Sequence, residues 1–326
     1  MKNRSFFSLS KCVSLLAASL LTGCITINFP GGNPANPTQP PQVVAPTATS
    51  ISATPIIELP TPASSALPGG LTDEVIRNGE YLSPLLQVPI QLVDGEYSQT
   101  TDENRLHAAL IPEIQYGDLN QDGIADAAFT LSEDTGGSGN FVSLIVVFSQ
   151  DGSYQQAPGV MIDDRPVIDS VTVENGKVQV SGLVHAPNDP MVNPTTRMQA
   201  EYTLFGGEMV LTRYTSAFGG GAEHLIFIDS PVEGEEVTNT LQLHGSMPMG
   251  PFENNLRLQI LDPIDGVLVE EGFMVQAEDM GAPATFNNAI SLPGVAAGRQ
   301  VLVVLSELSM ADGKPIAVDS VLVTVR

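Results

Sequence analysis

The chain has 326 residues, and 13 Lys and Arg against 37 Asp and Glu give it a formal net charge of −24. This acidity argues against a nucleic-acid-binding surface, which needs clustered Lys and Arg, and against electrostatic docking on anionic lipid. Two cysteines are too few for a disulfide framework or a Cys-rich zinc fold. The length allows two ordinary domains with additional segments.

The N-terminus has the pattern of a secretory signal peptide, which we place at 1–23. Residues 1–11 carry three basic residues and no acidic one, and 12–21 form an apolar run that is too short to span a bilayer. The run ends in Leu-Thr-Gly-Cys, which resembles the lipobox of bacterial lipoproteins. The resemblance implies cleavage before Cys24, a diacylglycerol on its sulfur, and a lipid-anchored protein on the extracytoplasmic face of the cell membrane. The alternative is an ordinary cleaved signal followed by a chance cysteine.

Residues 24–70 read as a linker. The segment after Cys24 holds ten prolines, many Thr, Ser and Ala, and a single charged residue, Glu58. Such a composition buries too little apolar surface to offset the entropy of ordering, so we expect a disordered, extended stalk. It would either lift the following domains away from the membrane or act as a passive spacer.

Residues 71–223 are expected to form an α+β domain with an antiparallel sheet. A short helix is predicted over 71–77, with Thr72 as its N-cap and acidic residues in the first turn. Asn175-Gly176 between two alternating runs is a strong hairpin signal, and it places Glu174 opposite Lys177. The strands are predicted at 141–149, 167–173, 178–184, 201–205 and 208–213.

The segment 117–126 carries the sharpest chemical motif, a D-x-N-x-D-G-x-x-D loop. Oxygen ligands at alternate positions around a glycine suit Ca²⁺, which takes six to eight oxygens. The candidate ligands are Asp118, Asn120, Asp122, the backbone carbonyl of Ile124, and Asp126. Position 12 of the loop is not Glu, so the motif is no EF-hand and instead resembles the calcium loops of FG-GAP repeats. The alternative is a metal-free turn held by Asx side chains.

The middle of the chain shows a wider resemblance. The motifs RNGEYLSP, YGDLNQDGIADAAFTL, TGGSGNFVSLIVV and HAPNDPMVNPT are similar to segments of a family of uncharacterised bacterial secreted and lipoprotein domains, over about 77–213. The resemblance supports the fold expectation and implies no activity.

Residues 224–326 are expected to form a seven-stranded immunoglobulin-like β-sandwich, because short alternating runs follow one another at regular spacing. The strands are predicted at 225–228, 240–245, 256–261, 267–275, 285–292, 300–305 and 316–325. The motifs IDSPVEGEEVTNTLQLHGSM and VLVVLSELSMADGKPIAVDSVLVTV resemble the Gmad2 domain, named for bacterial spore germination and sporulation proteins. That resemblance implies an immunoglobulin-like fold with a binding or structural role, and it brings no catalytic residues.

No catalytic motif stands out. The four histidines form neither H-E-x-x-H nor a pair at ligand spacing, and no serine sits in a G-x-S-x-G elbow. We read 185–190 (HAPNDP) as a turn and the adjacent acids Asp163 and Asp164 as solvated surface. The leading hypothesis is therefore a non-enzymatic envelope binding or scaffold module with an unidentified protein or glycan ligand, linked to sporulation or germination. The rival is a secreted hydrolase or hydrolase accessory protein with its site in 71–223.

Overall fold

The computed structural model describes residues 71–101, 105–111, 113–150, 153–217, 221–292 and 294–326. The predicted signal peptide, the predicted lipidation site Cys24 and the predicted linker 24–70 lie outside the described residues. Among the residues that are described, no helix is long and apolar enough to cross a membrane.

The described chain is almost entirely β, as the sequence predicts. Its helix is α1 (Asp73–Arg77), and a short 3-10 helix covers Phe252–Asn254. The strands of the first half are β1 (Glu80–Leu82), β2 (Pro89–Gln91), β3 (Glu96–Thr100), β4 (Arg105–Leu110), β5 (Gln115–Gly117), β6 (Asp126–Asp134), β7 (Phe141–Gln150), β8 (Ser153–Gln156), β9 (Val160–Asp164), β10 (Val167–Glu174), β11 (Lys177–Val184), β12 (Thr196–Phe205) and β13 (Glu208–Ala217). The second half adds β14 (Glu223–His224), β15 (Phe227–Ser230), β16 (Glu236–Val237), β17 (Thr240–Met247), β18 (Asn255–Asp262), β19 (Gly266–Met274), β20 (Gln276–Ala277), β21 (Ala284–Ser291), β22 (Gln300–Leu308) and β23 (Pro315–Val325).

Two local predictions are confirmed by the backbone. Thr72 caps α1, because its hydroxyl accepts a hydrogen bond from the Val75 N–H. Asn175 and Gly176 both have positive φ, at 53° and 75°, which is the geometry of a tight hairpin turn between β10 and β11. The turn pairs Glu174 with Lys177 across the two strands, as expected.

The first half of the chain folds around a seven-stranded sheet in the order β3-β4-β6-β7-β8, with β5 beside β6 and β9 beside β7. β6 and β7 are buried along most of their length, so they form the centre of this sheet. One face packs under α1 and the small β1-β2 pair, where Ile76, Tyr81 and Phe129 share a core. β9 pairs with β7 in this sheet and is followed in the chain by β10, which belongs to the next sheet.

The C-terminal half is a β-sandwich. A four-stranded sheet, β15-β17-β21-β20, covers the strands β23-β22-β18-β19, and the core between them includes Leu243, Leu258, Phe286 and Val303. Each of the seven predicted strands is present, and the short strands β16 and β20 are additional. The mainly-β fold with an immunoglobulin-like sandwich is therefore confirmed.

The two halves share one sheet. β10-β11-β12-β13 continue into β23-β22-β18-β19, and the strands meet where Tyr214 on β13 pairs with Val318 on β23. On β22, Val303 faces the sandwich core while Val304 packs with residues of the first half, so both faces of this strand are buried. The sheet therefore crosses the boundary predicted at 223 and 224.

Candidate functional site

The predicted calcium loop lies between β5 and β6, and its side chains bind the loop's own backbone. The carboxylate of Asp118 accepts hydrogen bonds from the N–H groups of Asp122 and Gly123 at 3.0 and 2.9 Å. Asp122 in turn accepts from the Ile124 N–H at 2.8 Å, and the Asn120 side-chain oxygen accepts from the Asp122 N–H at 3.0 Å. These bonds are those of an Asx-rich turn.

Asp126 has a different position from the other predicted ligands. Its side chain is fully buried, and its oxygens accept hydrogen bonds from the N–H groups of Leu119, Asn120 and Ser149. Burial raises the pKa of the Asp126 carboxyl, although the three backbone hydrogen bonds oppose that shift. Asp126 thus ties the base of the loop to β7.

The donor set left for a metal is small. Asp118, Asn120 and Asp122 remain on the outer part of the loop, with the carbonyl of Ile124 beside them. Within the described part of the chain, no group of three or more His, Cys, Asp or Glu side chains is arranged to hold a metal ion. Calcium binding by this loop therefore stays a prediction, and its ligands would come mainly from these four residues and from water.

A second candidate site is a cavity of about 710 Å³ between the two halves. Its floor is one face of the sheet that the two halves share. Arg257, Ser306, Val318 and Tyr214 follow one another across four neighbouring strands, and paired residues of a sheet point to the same face. This face is opposite the sandwich core. The walls come from β9, from the residues after β11 and from the loop between β22 and β23.

An ionic network links the walls of this cavity. Asp163 Oδ1 lies 2.7 Å from Nζ of Lys314, and its Oδ2 lies 3.0 Å from Nδ1 of His185 and accepts the His185 backbone N–H at 2.7 Å. Asp163 is only 4% exposed, so the expectation of a solvated surface acid is wrong for this residue. Burial would raise the pKa of Asp163, but the hydrogen bonds from Lys314 and His185 outweigh it and hold the pKa below its usual range.

The neighbouring acid, Asp164, is also held by protein groups. Its carboxylate forms two hydrogen bonds with the guanidinium of Arg165 and accepts the Asn140 N–H. Burial raises the pKa of Asp164, but these hydrogen bonds lower it by more, so the pKa lies below its usual range. Both acids are thus parts of paired networks, and neither is the free surface charge that the sequence suggests.

The imidazole of His185 has one satisfied nitrogen and one that lacks a partner. An ionised carboxylate can only accept, so Nδ1 carries the proton that is shared with Asp163, and a neutral ring keeps Nε2 as an acceptor. Nε2 is buried and has no hydrogen-bond partner. The predicted turn after His185 is present, since the Asp189 N–H donates to the Ala186 carbonyl at 3.0 Å. The buried pairing with Asp163 is the part that sequence reasoning missed.

Other cavity residues share this lack of partners. The hydroxyl oxygen of Thr196 and Nε of Arg257 are buried without a hydrogen bond. A buried polar atom that is left unpaired costs about 1–3 kcal/mol, so several of them around one cavity call for an explanation by a bound group or by water. In the described residues, no hydrogen bond is formed by the hydroxyls of Tyr202 and Tyr214.

The phenol groups in the cavity remain protonated. Burial raises the pKa of Tyr202 to about 12. It also raises the pKa of Tyr214, with a further contribution from the negative charge of Asp163. Both side chains are therefore neutral hydrogen-bond donors at ordinary pH.

The Asp163–His185 pair and the cavity lining together set what this arrangement can do chemically. An Asp–His pair can orient an imidazole for proton transfer, but nucleophilic catalysis also needs a hydroxyl or thiol beside the free nitrogen. Among the described residues, none donates such a hydrogen bond to Nε2 of His185. The cavity combines a largely apolar lining with a few polar groups, as small-molecule sites do.

Comparison with known proteins gives one match, which lies in the C-terminal region. Residues 225–314 match the family model of Gmad2, described as the immunoglobulin-like domain of bacterial spore germination. The match confirms the resemblance that the sequence motifs carry in this region. Arg257, Ser306 and Lys314 of the cavity fall within it, whereas Asp163 and His185 do not. No curated protein and no solved structure matches the chain.

Proposed function

We propose that this chain is a lipid-anchored extracytoplasmic binding protein. Cys24 would carry the lipid, the linker 24–70 would act as a stalk, and the folded part would bind its ligand at the junction of the two halves. The Leu-Thr-Gly-Cys tetrad supports the anchor, and the Gmad2 match supports a link to spore germination or sporulation. The observation that carries the binding function is the 710 Å³ cavity, whose lining residues leave buried polar atoms unpaired.

The shared sheet supports a site at this junction. Val304 and Val318 point away from the sandwich core and pack with residues of the first half, including Met198 and Tyr202. The Asp163–Lys314 ion pair joins the walls at the cavity rim. Cavity residues from both halves are thus held in fixed positions, and a preorganised site loses less free energy on binding.

The anchor is tested by substitution of the two cysteines in turn. Cys24→Ser should move the protein from the membrane fraction to the soluble extracytoplasmic fraction, because it removes the sulfur that would take the lipid. Cys12→Ser is the matched control: it lies inside the signal and should leave the protein membrane-bound. Retention of the Cys24→Ser protein in the membrane fraction would overturn the anchor.

A hydrolase remains the second candidate, and the observation in its favour is the Asp163–His185 pair with its free Nε2. Such a histidine could activate water as a general base. The test is hydrolysis of chromogenic ester and amide substrates by wild type and His185→Gln. We expect no turnover by either protein, whereas a wild-type activity that the substitution abolishes would establish the hydrolase.

A further inference from the structure

We propose that the cavity at the junction takes an amphiphilic carboxylate, whose charged group pairs with Arg257 and whose apolar body lies along the sheet. This inference rests on the proposed binding function and specifies the chemistry of its ligand.

One charged residue of the lining, Arg257, lacks the partner that the others have. The acidic residues of the lining are Asp163, Asp164 and Asp312, and each already has a basic partner: Lys314 for the first and last, Arg165 for the second. Arg257 is different, because no described residue forms an ion pair with it and its Nε is buried without a hydrogen bond. Arg257 is thus a guanidinium of the lining that has no partner among the described residues, although the whole chain is strongly acidic.

The position of Arg257 on β18 determines the face of the sheet on which its side chain lies. On β18 it lies between Leu256 and Leu258, both of which are in the sandwich core, so its own side chain is on the opposite face. Ser306 is its neighbour on β22 and is almost fully buried. A guanidinium binds a carboxylate through two parallel hydrogen bonds, and the strength of this pairing grows when water is excluded.

The rest of the lining suits an apolar body. Met198, Met209, Leu261, Val304 and Val318 border the cavity. Methionine side chains are flexible and polarizable, so they adapt to ligands of irregular shape. The volume of 710 Å³ falls within the range of roughly 300–1,000 Å³ that holds small organic ligands. A free inorganic anion would pair with Arg257 but would leave this apolar surface wet.

The experiment is calorimetric titration of the mature chain, made soluble by Cys24→Ser, with three probes. Dodecanoate carries both the charge and the apolar body, dodecanol carries the body alone, and acetate carries the charge alone. We expect binding of dodecanoate at least tenfold tighter than that of dodecanol, and no measurable binding of acetate. Arg257→Met should remove the preference for dodecanoate, and Arg257→Lys should keep part of it.

Arg197→Met is the matched control, because Arg197 is exposed, pairs with Asp169 and does not line the cavity. It should bind dodecanoate like wild type. Unchanged melting temperatures of the Arg257 variants without ligand show that they fold.

Equal binding of dodecanoate and dodecanol, or a preference for dodecanoate that survives Arg257→Met, would overturn the proposal of a carboxylate ligand. Either result would leave the proposed binding function standing. No binding of any probe would also overturn this inference. The binding function itself is tested separately, by native mass spectrometry of the protein with any ligand that it retains from its cells.

Discussion

The side-chain nitrogen of Lys314 lies 2.7 Å from Oδ1 of Asp163, although the two residues are 151 positions apart in the chain. Lys314 belongs to the loop before β23, and Asp163 belongs to β9. Their ion pair thus connects the sandwich to the first half at the rim of the cavity. Asp163 is nearly buried while Lys314 is half exposed, so the carboxylate depends on this partner more than the ammonium does.

The Asp163–Lys314 pair predicts that removal of Lys314 destabilises the protein more than removal of a lysine that is paired on the surface. Lys314→Met should lower the free energy of unfolding by about 1 kcal/mol, because it leaves a buried carboxylate with only His185 as its partner, and solvent screening at Lys314 limits the loss. Lys177→Met is the control, since Lys177 forms an ion pair with Glu201 on the sheet surface. Urea unfolding of both variants measures the difference, and equal losses would contradict this role of Asp163.

The same carboxylate predicts how stability depends on pH. The pKa of Asp163 is lower in the folded state than in the unfolded chain, where it is about 4. The unfolded chain therefore binds this proton more tightly than the folded chain does, and the difference affects stability once the pH falls below about 4. The stability that Asp163 contributes is fully present above its unfolded pKa and is lost as pH falls through its folded pKa. Asp163→Asn should therefore flatten the acid limb of the melting temperature against pH. An acid limb as steep as that of wild type would contradict the prediction.

The double burial of β22 predicts that a charge on its outer face is not tolerated. Val304→Asp should cost several kcal/mol, because Val304 is 3% exposed and packs against the first half rather than against solvent. Val267→Asp on β19 is the control, since that valine is 54% exposed. Thermal melts of the full folded region compare them. Equal tolerance of both substitutions would show that the halves do not pack through this face.

Calcium binding by the loop at 118–126 is tested directly. If Ca²⁺ binds, it should raise the melting temperature, because a ligand that binds only the folded state stabilises it. Asp122→Ala should abolish the rise, since Asp122 is exposed on the loop and offers a carboxylate. Glu278→Ala, an exposed acid elsewhere, should keep it. The absence of any shift in wild type with Ca²⁺ would leave the loop as a metal-free turn.

Local patterns in the sequence predict the local structure well. Asn175-Gly176 gives the hairpin, Thr72 gives the helix cap, and alternation gives the strands of the sandwich. These features depend on neighbours within a few positions, where backbone preferences and side-chain alternation act. The continuous apolar run in β22 is also visible in the sequence, but only the structure shows that its second face is covered by the first half.

The cavity could not be predicted in this way. Asp163, His185 and Lys314 come from three separate segments, and no spacing rule connects them. In the sequence alone, Asp163 looks like a surface acid, His185 like part of a turn, and Lys314 like a lysine in a loop. Their chemistry depends on burial and on pairing across strands, which are set by the packing of the two halves.

The central claim is that the cavity at the junction holds a small ligand. Native mass spectrometry of the protein purified from its own cells, in gentle buffer, tests it most directly. The account predicts a wild-type protein that carries a bound small molecule, and a loss of that molecule when Val304→Trp fills the cavity but leaves the protein folded. A folded wild type that carries no bound molecule, or one that Val304→Trp leaves in place, would contradict the claim.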